Sequence, residues 1–170
     1  MPDLSTCILG QTEEPLHLHT APEHRAAVLR MASQATQSLC IHTRDLDPAV
    51  YDSAELNEAI VRLIRRSSRA QIRILVQDSS RAVREGHGLL RLGQQLSSKV
   101  QFRIPGPDHR DFNEAFLVAD VAGYVRRPVA DLYNGVAVFR APFEARKLLQ
   151  YFDEVWDRAD SDPQLRRLFL

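Results

Sequence analysis

Two polar runs follow predicted apolar strands, and their side chains could bind an anion. His42-Thr43-Arg44-Asp45-Leu46-Asp47-Pro48 contains Arg44, and a second run, which follows Gln77, contains Asp78, Arg81 and Arg84. In α/β proteins the carboxyl ends of strands form the edge at which ligands bind. An arginine fork at that edge can hold a phosphate through two hydrogen bonds, so Arg44 is our preferred single candidate for phosphate binding. For the second run, an ordinary salt-bridged loop is the alternative interpretation.

Basic residues in this chain are nearly all arginine. Of the 22 basic residues only Lys99 and Lys147 are lysine, and 22 acidic residues bring the formal net charge to zero. A phosphate-facing cation is therefore expected to be a bidentate arginine rather than a point-charge ammonium. Because no overall field attracts a polyanion, any such site must be local.

Four histidines stand in patterns that could bind ligands. His87 lies between two glycines ahead of a leucine-rich helix, where it could help to bind an anion or could cap the helix. His109 precedes Asn113 by four residues and could supply an imidazole, although a solvated loop histidine is the preferred interpretation. His17 and His19 lie on the same side of a possible strand, and we predict a polar edge strand rather than a metal site.

One predicted helix carries a basic face formed by Arg62, Arg65, Arg66 and Arg69. Such a face could grip the phosphates of nucleic acid. Acidic residues on the same helix and the absence of interleaved aromatic residues favour a solvated face instead.

Alternating helical and strand periodicities predict the elements that must position these residues. A helix from Glu23 leads into a strand over Ser38 to His42, and Tyr51-Asp52-Ser53 offers an N-cap for the next helix. The later elements are strands at 71–77, 100–104, 115–119, 123–126 and 135–139, a leucine-rich helix ending near 97–98, and a final helix at 142–158. This order predicts an α/β fold with a mixed sheet flanked by helices on both faces.

Length and composition predict an ordinary folded domain. The 170 residues, with 44% hydrophobic and 26% charged, can bury one core. We predict an N-terminal arm or edge strand over 1–22 and a single domain over 23–170. Two unpatterned cysteines, no secretory signal and no long apolar run predict a reduced cytoplasmic protein without a membrane span. Neither a metal nor another cofactor is predicted.

The segment Asn113-Glu114-Ala115-Phe116-Leu117-Val118-Ala119-Asp120 resembles the reactive motif of the phospholipase D superfamily, His-x-Lys-x4-Asp. Asn113 stands in the place of the histidine and Ala115 in the place of the lysine, so only Asp120 is retained. A core strand followed by a turn is the alternative interpretation of the same pattern. The family's Gly-Ser-x-x-Asn element falls on residues 127–131, where only Asp131 keeps a polar residue at the last place.

The resemblance extends from Glu23 to Ala159 through the order of helices and strands, and the Phe-x-x-x-Trp ending of the family's closing helix is reproduced at Phe152 to Trp156. It implies the fold of a phosphodiesterase without its chemistry, because that chemistry needs a histidine nucleophile and charge-neutralising lysines. A half-length chain also implies, by the same resemblance, a homodimer.

Three hypotheses about function follow. The leading one is a non-catalytic phospholipase D-like domain, expected to be a bacterial cytoplasmic homodimer, that binds a partner or a phosphate-containing ligand through a remodelled cleft. The second is a phosphodiesterase or nuclease that uses His87 or His109 beside Arg44 and Arg84. The third is an accessory domain that docks onto a separate enzyme.

Overall fold

A seven-stranded mixed sheet forms the centre of the computed structural model, which describes residues 1–168. The strands lie in the order β1-β7-β6-β5-β2-β3-β4. Strands β2, β3 and β4 are parallel, whereas β5 runs antiparallel to β2 and the pairs beyond it are antiparallel. Their bounds are β1 Leu16–Leu18, β2 Ser38–Thr43, β3 Gln71–Val76, β4 Val100–Arg103, β5 Ala115–Ala119, β6 Gly123–Arg127 and β7 Gly135–Val138.

Helices cover both faces of this sheet, which confirms the predicted α/β fold. Leu39 and Ile41 of β2 point into the larger core, whereas Cys40 of the same strand points into a smaller core under the closing helix. The helices are α1 Ala21–Gln34, α2 Pro48–Tyr51, α3 Ala54–Arg66, α4 Ser80–Glu85, α5 Gly88–Gln95, α6 Pro142–Asp157 and α7 Pro163–Leu168. Helices α1, α3 and α5 contribute to the larger core and α6 to the smaller.

Local sequence explains where the longer helices begin. Thr20 and Glu23 form a capping box at the start of α1. The hydroxyl of Ser53 accepts a hydrogen bond from the amide of Leu56, so the predicted N-cap of α3 is confirmed.

The polar run after β3, for which a salt-bridged loop was the alternative interpretation, contains a short helix, and another short helix begins at the last residue of the run after β2. Helix α2 begins at Pro48, whose fixed φ suits a first helical turn, and Asp47 caps it by accepting from the amide of Ala49 at 3.0 Å. Helix α4 contains Arg81 and Arg84 and buries Ala82. A helix of one or two turns is too short to show a clear hydrophobic period, so its sequence cannot be distinguished from that of a loop.

The closing helix is fixed by the Phe152 to Trp156 pair. Their rings stack with centroids 5.7 Å apart, and the guanidinium of Arg73 lies 5.0 Å from the centre of the Phe152 ring. Arg103 lies 4.4 Å from the Trp156 ring. Because both arginines belong to strands β3 and β4, these cation–π contacts anchor α6 to the sheet.

The turn between β5 and β6 places two side chains in the left-handed region. Asp120 and Val121 have φ values of 56° and 58°, and the amide of Ala122 donates to the carbonyl of Ala119 at 2.9 Å, as in a type I′ turn. A β-branched residue is rarely found there because its Cβ crowds the backbone.

Replacing Val121 with glycine should therefore raise the free energy of unfolding by about 1 kcal/mol, since glycine adopts this conformation without strain. Val129, equally exposed but without a positive φ, supplies the control, because Val129→Gly should give no gain. Urea unfolding of both variants measures the effect. A Val121→Gly protein no more stable than the original would contradict the strain argument.

Candidate ligand-binding cleft

Four chain segments converge where β2 and β3 end, because the antiparallel β5 begins beside them. The amide of Asp78 donates to the carbonyl of Arg44 at 2.8 Å, which joins the loops after the two parallel strands. The side-chain amide of Gln77 donates to the carbonyl of Phe112, and the amide of Ala130 donates to the carbonyl of Asn113 at 2.8 Å. The segment before β5 is thereby tied both to β3 and to the loop after β6.

Arg44 bridges two of the positions that carry the family resemblance. One guanidinium nitrogen donates to Asn113 Oδ1 and another pairs with Asp131 Oδ1. The side chains of Arg44 and Asp131 are 41% and 61% exposed. Arg44, chosen for its position after a strand, therefore forms one surface network with two residues chosen from the family resemblance, and this network includes the position where that resemblance puts a nucleophile.

A buried ion pair lies behind that network. Asp47 Oδ2 accepts from Arg127 Nη1 at 3.2 Å and from the hydroxyl of Tyr133 at 2.8 Å. The side chains of Arg127 and Asp47 are only 7% and 11% exposed. Since the other oxygen of Asp47 caps α2, this single carboxylate fixes the loop after β2 to the loop after β6.

Sequence reasoning missed this ion pair. Arg127 attracted notice only as a departure from the family's pattern, and Asp47 only as part of a polar run. The Asp-Pro step at 47–48 is the one local feature that could have indicated Asp47, because it is typical of a capped helix start.

A pocket of about 240 Å³ opens in front of the ion pair. Arg44 and Arg81 both line it, and Arg81 is paired with Asp45 at 3.1 Å and with Glu85 at 3.5 Å. We call this space the cleft pocket; its principal lining residues are Arg44, Asp45, Asp47, Arg81, Asp131 and Tyr133.

Two acidic side chains of the cleft pocket flank a buried residue with a left-handed backbone conformation. Leu46 is fully buried and has a φ of 57°, a conformation that leucine rarely adopts. The hydroxyl of Thr43 holds it by accepting from the Leu46 amide at 3.1 Å. Asp45 and Asp47, which lie on either side of Leu46, accept hydrogen bonds from different arginines, Arg81 and Arg127.

Asp120 lies at the far end of β5 and takes no part in the cleft. Its two oxygens accept hydrogen bonds from the amides of Thr36, Gln37 and Ser38 at 2.7–2.9 Å. The intervening strand separates it from Asn113 by roughly 24 Å, for seven residues at about 3.4 Å each. The retained aspartate thus shapes the turn before β2, and Ala115 is buried in the sheet.

The other ligand candidates lie outside the cleft pocket. His87 is buried as the N-cap of α5, where its Nδ1 accepts from the amide of Leu89 at 3.1 Å, and burial lowers its pKa. His109 packs edge-on against Tyr151 with ring centroids 6.1 Å apart. Asp78 interacts with Ser80, whose hydrogen bonds lower the pKa of the carboxyl group, and Arg84 is exposed on α4.

A further histidine, His42, lies on the opposite face of β2 and was not identified from the sequence. Its Nδ1 lies 3.1 Å from the carbonyl oxygen of Glu114 and donates to it, while Phe112, Phe116 and Tyr151 surround the ring. The side chain is completely buried, and burial lowers its pKa from 6.5 to about 4. It is therefore a neutral core residue rather than an accessible base.

Residues 1–168 contain no group of three or more histidine, cysteine, aspartate or glutamate side chains arranged to hold a metal ion. Within the same residues no helix has the length and apolar character needed to cross a membrane.

Comparison with known proteins identifies a family and a fold. The family model described as "Domain of unknown function (DUF7931)" matches residues 20–168, and no curated protein matches. TrmBL2, an archaeal chromatin protein whose structure shows a novel mode of DNA binding, has a TM-score of 0.67 at 13% identity. The match covers 88% of this chain and 54% of TrmBL2, so the chain spans about half of that protein.

NucT from Helicobacter pylori has a TM-score of 0.54 at 10% identity. This match covers 88% of this chain and 99% of NucT. At these identities both matches concern the fold alone. They agree with the predicted α/β fold and its mixed sheet.

Proposed function

This chain belongs to the DUF7931 family, and we propose that it is a non-catalytic phospholipase D-like domain that binds a phosphate-containing ligand in the cleft pocket. The observation that carries the proposal is the position of Arg44, which holds Asn113 and Asp131 and faces the same pocket as Arg81. Two arginine forks on one small pocket suit the oxygens of a phosphate group.

The side chains in the cleft argue against catalysis by the family's route. Asn113 cannot form a phosphohistidine, and the buried Ala115 cannot neutralise charge. Neither His87 nor His109 lines the cleft pocket, so neither is placed to substitute. The nuclease alternative therefore has no supporting contact among the described residues.

Ligand binding requires that a phosphate displace a carboxylate from an arginine. The Arg44–Asp131 and Arg81–Asp45 pairs are well exposed, and exposed pairs contribute at most about 1 kcal/mol. A doubly charged phosphate held by two hydrogen bonds competes favourably with such a carboxylate. The buried Arg127–Asp47 pair keeps the walls of the pocket in place during this exchange.

The similar structures support this proposal by analogy of fold. TrmBL2 is described as binding DNA, a molecule rich in phosphate. Homodimerisation and a cytoplasmic location remain parts of the proposal. Two free, buried cysteines, Cys7 and Cys40, suit a reducing compartment.

Binding should depend on Arg44. Pyrophosphate and ADP are the probes, and at least one should raise the melting temperature of the original protein, because selective binding stabilises the folded state. Arg44→Ala should weaken that binding by roughly tenfold or more, since one charge-assisted fork is lost. Asp131→Asn should tighten it, because the competing carboxylate charge is removed.

Arg140→Ala is the matched control, because Arg140 is a similarly exposed arginine paired with Glu13 away from the cleft. No stabilisation by any probe would contradict ligand binding and favour the docking domain. Turnover of a generic phosphodiester by the purified protein would contradict the non-catalytic assignment.

A further inference from the structure

Four cations gather at the edge of the sheet opposite the cleft pocket. Arg65 and Arg66 lie in the last turn of α3, Arg69 lies in the connection to β3, and Lys99 immediately precedes β4. Because β2, β3 and β4 are parallel, their preceding turns meet along this edge. We call Arg65, Arg66, Arg69 and Lys99 the amino-edge surface.

Among the described residues, no carboxylate forms an ion pair with these cations, in contrast to the arginines of the cleft. Arg66 donates to the carbonyl of Ala35 at 2.6 Å, and Lys99 donates to the carbonyl of Ser68. Arg65 and Arg69 form no ion pair within the part of the chain that the structure describes. Hydrogen bonds to carbonyls orient a cation without cancelling its charge.

Negative charge at this edge is smaller than the positive charge. Asp120 contributes one carboxylate, whose oxygens are occupied by three backbone amides and by the hydroxyl of Thr36. The carboxyl ends of α1, α3 and α5, the helices that precede β2, β3 and β4, each add roughly half a negative charge. Four cations against these groups leave a local excess of about one and a half positive charges, although the chain as a whole is neutral.

A polar depression adjoins the cations. Its volume is about 510 Å³, and Gln37, Ser38, Ser67, Arg69 and Gln71 line it. Its side chains are amides, hydroxyls and one guanidinium, so the depression offers several hydrogen-bond donors to an oxyanion. This lining suits a sugar-phosphate backbone, whose contacts come mainly from arginine, serine and glutamine side chains and backbone amides.

The distribution of the charges points to a polymer of phosphates. The cations are spread over the end of α3 and two turns instead of converging on one centre. The amino-edge surface and its depression contain no aromatic side chain on which an unpaired base could stack. We propose that the amino-edge surface binds the phosphate backbone of double-stranded nucleic acid without regard to sequence, independently of the cleft pocket.

Fluorescence anisotropy with a mixed-sequence DNA duplex tests this. The original protein should bind, and binding should weaken as salt rises. An Arg65→Glu/Arg69→Glu double variant should bind the duplex roughly tenfold more weakly or worse. The negative slope of log K against log salt should become shallower by about 2. Both side chains are exposed, so the melting temperature should be retained.

Two control variants locate the effect. Arg140→Glu changes charge on another surface and Arg44→Ala removes the cleft cation, so both should leave duplex binding unchanged. The double variant should keep its response to pyrophosphate or ADP, which separates failure of this inference from failure of the cleft proposal. Absence of duplex binding, equal loss in Arg140→Glu, or binding to anionic vesicles without binding to the duplex would overturn it.

Discussion

Replacing Asp47 with alanine should lower the free energy of unfolding by about 3–5 kcal/mol, because it leaves Arg127 as an unpaired buried charge. The same change removes the acceptor of the Tyr133 hydroxyl and the cap of helix α2. Since the lost contacts join two loops of the cleft, ligand binding should fail together with stability. Urea unfolding at neutral pH gives the free energy.

The exposed pair in the same cleft provides the matched comparison. Asp131→Ala breaks an Arg–Asp pair of the same chemistry, but its partners are solvated, so the cost should not exceed about 1 kcal/mol. If Asp47→Ala yields no folded protein, Asp47→Asn keeps an acceptor without the charge and should be measurably destabilised. If the Asp47 and Asp131 variants lose the same free energy of unfolding, burial does not determine how much these ion pairs contribute to stability.

Acidification should destabilise the protein through His42. Burial lowers its pKa from 6.5 to about 4, so the unfolded chain binds a proton in this interval that the folded chain excludes. The contribution of neutral His42 to the free energy of unfolding is therefore complete above pH 6.5, and it is lost progressively as the pH falls to 4. At about 1.4 kcal/mol per pKa unit the loss approaches roughly 3 kcal/mol.

His42→Asn isolates this contribution, because the asparagine amide can replace Nδ1 as the donor to the Glu114 carbonyl but cannot be protonated. Its free energy of unfolding should vary less between pH 7 and pH 4, whatever its absolute value. Burial also lowers the pKa values of His24 and His87, so some dependence should remain. His17→Asn, at an exposed strand position, should retain the original profile; an unchanged profile in His42→Asn would refute the assignment.

The cleft and the amino-edge surface differ in how their charges are arranged. Each arginine of the cleft has a carboxylate partner, whereas the cations of the amino-edge surface have carbonyl partners or none among the described residues. The first arrangement favours a ligand that can displace a weak partner, and the second favours a polyanion bound by many weak contacts.

Helices and strands in which the hydrophobic pattern continues over several residues were predictable from the sequence. The helix closing with Phe152 and Trp156, the strands β2 to β7 and the cap at Ser53 all lie close to their predicted places, because their determinants are a few residues apart. The prediction that Arg44 binds a phosphate has the same local basis, its position after a strand. Helices α2 and α4 were missed because one or two turns carry no clear period.

Pairings between distant residues were decided by the tertiary structure alone. Asp47 and Arg127 are 80 positions apart, and no local pattern shows that one buried carboxylate holds two loops together. Likewise Asp120 looked like a remnant of a reactive motif, but the antiparallel pairing of β5 with β2 sends it to the edge opposite Asn113. The sequence by itself determined which elements form and where arginines follow them, because periodicity and capping act locally. Only the folded sheet decided which charges meet, since strand order and direction bring distant residues to the same edge.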